Sequence, residues 1–119
     1  MNKEVRIVEG FPYQIPSDQL WKVTSKAKKD KRPGYAMVLK LMPLIFATEE
    51  MANSRGQGLK PAKDGDLKPV LDAEKMKAIK TYAEGFCKKN GLTPSTDAEM
   101  NIAVTEAVAY ARKKLKKKL

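Results

Sequence analysis

Histidine is absent from these 119 residues, and cysteine occurs once, at Cys87. No internal disulfide can form, and neither imidazole nor a thiolate cluster is on hand to build a metal site. The missing histidine also removes the commonest general base. Cys87 follows Phe86 on the inner side of an expected helix and reads as a small buried hydrophobe, not a nucleophile. Acid is in short supply, with 14 Asp and Glu against 24 Lys and Arg and a formal charge of +10. No apolar run approaches the roughly 20 residues that span a bilayer, and the start shows no signal-peptide pattern. A soluble intracellular protein without a membrane partner is expected. There is also no Gly-rich phosphate signature, so no catalytic constellation is visible. Asp64 and Asp66 are the nearest thing to a metal pair, but they sit in a Lys-rich loop where such acids are ordinarily solvated. No enzyme, no cofactor and no metal are expected.

What is present is a hydrophobic fraction of 42%, enough for one compact domain over residues 1–119. The pattern is all-α with about five helices, an extended lead-in and one long basic loop. The lead-in, 1–16, carries Val5, Ile7, Val8, Phe11 and Ile15 in a short alternation that Pro12 and Pro16 interrupt. Ser17 is placed to cap a helix from Asp18, with Leu20 and Trp21 inward, and Pro33-Gly34 to end it. Trp21 is read as a core anchor and not as a base-stacking platform. Tyr35 to Phe46 is the most apolar stretch and should be central, with a kink or break at Pro43. Thr48 should cap a short acidic helix over Glu49–Ala52. The loop at 53–70 follows, then a helix capped by Asp72 with Met76, Ile79, Tyr82, Ala83 and Phe86 on one face. Asn90-Gly91 is its left-handed stop.

The closing segment, 95–118, joins an amphipathic helix to a cationic end that runs Arg112-Lys113-Lys114-Leu115-Lys116-Lys117-Lys118. Met100, Val104, Ala107, Val108, Ala111 and Leu115 recur at three- and four-residue spacing, leaving Asn101, Thr105 and Arg112 outward. Thr96 and Glu99 fit a capping box. Lys22 to Arg32 and Arg112 to Lys118 hold half of all the basic residues, so two distant blocks can converge on a polyanion. Basic residues in a last turn also simply complement the helix dipole. The loop Asn53-Ser54-Arg55-Gly56-Gln57-Gly58 has a plain reading as a connection. Its functional reading is that Arg, Asn and Gln suit two-point contacts with base edges.

Taken in order, these fragments resemble the BEN domain. The fragments are Ile15-Pro16 with Leu20, Ala36 to Phe46 followed by Ala47-Thr48-Glu49-Glu50-Met51, Ser54-Arg55-Gly56, Leu71-Asp72-Ala73-Glu74-Lys75-Met76 with Ile79, and Ala111-Arg112-Lys113-Lys114. The resemblance covers nearly the whole chain, and its specificity lies in the order. It implies an all-helical module of a nuclear transcriptional regulator, most often a repressor, acting in chromatin. It also implies sequence-specific binding of double-stranded DNA with the last helix in the major groove and loops assisting. One departure is the last helix, where members often carry cysteine and this chain has Ala and Val.

On that reading Arg112, Lys113 and Lys116, with Lys60, Lys63 and the Lys26 to Arg32 block, meet phosphates. Ser95, Thr96, Asn101 and Thr105 face base edges from the front of the last helix, and Arg55 and Gln57 assist from the loop. A protein-interaction or dimerisation module of a transcription or chromatin complex is the alternative, and a homodimer on DNA stays open.

Overall fold

Residues 3–59, 65 and 67–117 are described in the computed structural model. In chain order the elements are β1 (Glu4–Arg6), β2 (Gln14–Pro16), α1 (Ser17–Lys28), α2 (Pro33–Ile45), α3 (Thr48–Ala52), α4 (Ala73–Lys89) and α5 (Asp97–Lys117). The fold is all-α with one small strand pair. The lead-in pairs with itself: β1 and β2 run antiparallel with Val5 opposite Ile15. The alternation turns Ile7 and Ile15 into the core.

α2 is the hub, touching α1, α4, α5 and β2. Its apolar sequence explains this position, because Met37, Val38, Leu41 and Met42 are all buried to completion and such a helix needs neighbours on most sides. Pro43 does not break it. The proline falls in the last turn and on the exposed side, and Phe46 N–H closes onto Met42 O at 2.9 Å. The expectations at its start and at the start of α1 are revised. Pro33 does not mark the end of α1 but is the first residue of α2, where its missing N–H costs nothing. Gly34 is needed there, since a Cβ would lie 2.6 Å from Ser95 Oγ in the segment leading into α5. Ser17 is no cap either: α1 begins at Ser17, and Ser17 N–H donates to Lys3 O at 2.7 Å.

Trp21 departs most clearly from expectation. It is 69% exposed. The buried residues of α1 are Val23 and Ala27, one turn apart, and a residue two positions before Val23 points about 200° away from it. At α3 the cap is Ala47, not Thr48, and its N–H donates to Glu50 Oε1 at 3.2 Å. Glu50 also pairs with Lys75 at 3.3 Å, tying α3 to α4.

Other local signals hold. Asp72 Oδ1 accepts from Lys75 N–H at 3.0 Å and starts α4. At its far end Leu92 N–H reaches Cys87 O at 2.8 Å and Gly91 N–H reaches Lys88 O at 3.4 Å. This double closure requires the left-handed φ of +68° at Gly91. Cys87 is buried, and burial pushes its thiol pKa up.

Candidate nucleic-acid interface

α5 is specified first by its cap. Glu99 N–H donates to Thr96 Oγ1 at 3.1 Å while Thr96 N–H donates back to Glu99 Oε1 at 3.0 Å, the two halves of a capping box. That backbone donation, joined by the Thr96 hydroxyl, holds the Glu99 carboxyl below its ordinary value. Ser95, one residue earlier, accepts from Tyr35 N–H at 2.9 Å and so caps the neighbouring α2. Ser95 and Thr96, expected at base edges, are thus committed to holding helix starts.

Further along, Asn101 is a junction. Its Oδ1 accepts from Gln57 Nε2 at 3.0 Å and from Lys80 Nζ at 2.7 Å, and its Nδ2 faces Asp97 Oδ2 at 3.4 Å. Lys80 also lies 3.4 Å from Asp97 Oδ1. The loop, α4 and α5 are pinned at one point, and two expected site residues 44 positions apart, Gln57 and Asn101, are brought into contact. Lys80 was not among the expected residues; nothing in its own helix marks it beyond lying off the apolar stripe. Thr105 is exposed, with its hydroxyl on Asn101 O at 3.1 Å.

The loop itself is closed at its base. Arg55 N–H donates to Pro69 O at 3.0 Å and Leu71 N–H to Gly56 O at 2.8 Å. Buried Ser54 bonds Met51 O through its hydroxyl and accepts from Gly56 N–H. Arg112 then docks α5 onto this corner, with Nη2 on Ser54 O at 2.7 Å and Nε on Ala52 O at 3.3 Å. It neutralises the carbonyl end of α3, and the planar guanidinium bridges two acceptors that a lysine could not span in the same way. Arg55 is half-buried in the same loop. Lys60 and Lys63 lie outside the described residues.

Lys113 and Lys116 stand exposed on α5, as do Lys114 and Lys117. Between them and Asn101 the outward strip is neutral and short, with Ile102 at 51% exposure followed by Thr105 and Ala109. The one acid beside this strip, Glu106, accepts the Tyr35 hydroxyl, and this bond, more than burial, raises the Tyr35 pKa. Arg32 lies over the Tyr35 ring at 3.9 Å. The second basic block therefore runs beside α5, and Lys22, Lys26 and Lys114 line one groove. Among the described residues no group of three potential ligands could hold a metal, and no helix is long and apolar enough to cross a membrane.

Fold and site together define a small all-α domain whose longest helix carries a cationic end and a docked loop. Comparison with known proteins makes it more particular. The chain is 31% identical over 87 residues, 73% of its length, to BEN domain-containing protein 7 of Mus musculus and, to the same extent, of Homo sapiens. No protein-family model matches. The chain is a BEN-like domain. It spans about a fifth of the length of the curated relatives it matches, 19% and 20%.

Proposed function

We propose that this domain binds double-stranded DNA sequence-specifically, with α5 in the major groove and the docked loop beside it, in a nuclear regulator that acts as a repressor. The observation that carries the reading is the division of α5 itself. A strip of short neutral side chains, Thr105 and Ala109 with Ile102, leads into exposed Lys113, Lys116 and Lys117. Glu106 beside the strip accepts the Tyr35 hydroxyl and exposed Tyr110 lies on the side of the groove lined by Lys22 and Lys26, so the strip itself can approach base edges and thymine methyls, while the cations meet phosphates.

The base-reading roles are redistributed within this proposal. Asn101 Oδ1 already has two donors, so a two-point contact with adenine requires it to release them. Asn101, Gln57 and Lys80 serve first to position loop against helix, and Thr105 and Ile102 face the bases. Arg112 orders the loop through its bonds to Ala52 O and Ser54 O. The reading makes the domain a binder and not an enzyme; turnover of a nucleotide substrate would contradict that part.

The test is selection from a randomised duplex library at two salt concentrations. Enrichment of one motif with affinity falling steeply as salt rises is the expected result. A steep fall with no enriched motif would reduce the function to nonspecific binding, and no duplex retention would end the proposal.

A further inference from the structure

On the flank of α5 away from the docked loop, α1, α2 and α5 enclose a groove of about 510 Å³. Its walls are apolar, with half-buried Leu39 and Leu44, exposed Pro43, and Tyr110 at 69% exposure. Lys22, Lys26, Lys40 and Lys114 also line it. The one acid among the lining residues, Glu106, is occupied by the Tyr35 hydroxyl. Four cations around an unfilled apolar floor form a charge pattern that selects its own complement.

We propose that this groove is the docking site for an acidic amphipathic segment of a partner protein. Apolar side chains of the segment enter against Leu39, Leu44 and Tyr110, and its carboxylates meet the four lysines. Burial of the floor supplies most of the affinity, while the lysines fix orientation and exclude basic segments. A nucleic-acid backbone has no apolar group to place against Pro43 and Leu44, so the floor distinguishes a peptide from a phosphate track. A larger hollow of about 740 Å³ beside Trp21 and Phe86 sets two cations, Arg6 and Lys89, against the acid Glu9, where this groove sets four against Glu106. The proposal shares Lys26 with the phosphate contacts of the DNA reading but is otherwise separate, since that reading uses the loop side and outer strip of the same helix.

The experiment is fluorescence anisotropy with the whole chain and labelled helical peptides of about four turns, carrying Leu and Phe at i, i+3, i+4 and i+7 among Glu and Asp. Saturable binding is expected, with Tyr110→Ala and the pair Lys22→Glu, Lys26→Glu each weakening it about tenfold or more. Lys77→Glu, an exposed reversal on α4 outside the groove, should leave it within about twofold at moderate salt, as expected for a screened distant charge. All these side chains are exposed, and unchanged melting of each variant separates lost binding from lost fold. Equal binding of a peptide with Gln and Asn for its acids, or with Ser for its apolar residues, overturns the proposal. So does no binding, or a Lys22→Glu, Lys26→Glu pair that loses duplex binding while peptide binding is unmoved.

Discussion

The two halves of α5 carry similar numbers of polar groups and use them differently. At the front, Ser95 and Thr96 just before the helix and Asn101 within it are spent on the protein, capping α2, capping α5 and clamping the loop. In the rear half Lys113, Lys116 and Lys117 reach solvent, and Arg112 alone turns back onto carbonyls. Thr96 is consumed locally by its own cap, whereas Ser95 and Asn101 are taken up by Tyr35, Gln57 and Lys80, which packing brings to them. Long cations past the packed stripe have no acceptor at that range and remain available.

The largest break of this contrast is the triple reversal Lys113→Glu, Lys116→Glu, Lys117→Glu. Duplex affinity should fall by about 100-fold or more near physiological salt, with the salt slope shallower by about three. Thermal stability should scarcely move, and a large fall in melting temperature would show that these lysines hold the fold.

Arg112→Ala comes next and belongs to both halves. Loss of two bonds to carbonyls should cost about 1–2 kcal/mol in chemical denaturation, a value reduced for partial exposure. Arg112→Lys should restore charge and little of the stability. Full recovery of stability with lysine would mean that the bridge to Ala52 and Ser54 contributes nothing beyond charge.

Asn101→Ala should cost about 1 kcal/mol by releasing Gln57 and Lys80 together. Its sharper readout is the selected DNA motif, which should broaden while the salt slope stays constant. A motif unchanged in breadth would confine Asn101 to stability.

The smallest effect is acid sensitivity at the cap. Glu99 is held below its ordinary value, so its contribution is fully present above the unfolded-state value and is lost as pH falls through the lower folded one. Helicity followed from neutral pH to about pH 3, spanning the carboxylate range, should show a late acid loss that Glu99→Gln removes. An identical acid limb in the variant would assign that loss to other carboxylates.

Local signals were legible at three places, whereas Ser17 and Thr48, expected as caps, are instead the first residues of their helices. Thr96 with Glu99, Asp72 with Lys75, and Asn90-Gly91 each act within six residues and were readable. Trp21 was misread because hydrophobicity says that a side chain favours burial and not that a neighbour is there to cover it. Pro33 was misread because proline both follows one helix and opens the next. The candidate site was legible as charge, but the Gln57–Asn101–Lys80 clamp was not, since it joins three elements far apart in the chain.

By itself the sequence determined the helices, the caps at Asp72 and Thr96, the apolar hub at 35–46, the excess of positive charge and the order of fragments that marks a BEN-like domain. These follow from local hydrogen bonding and periodicity, which act over a few residues. Only the tertiary structure decided which polar groups were consumed and which stayed open. That choice depends on which distant atoms arrive within about 3 Å of each other, and Ser95, Asn101 and Arg112 met partners across the fold while Lys113 and Lys116 did not.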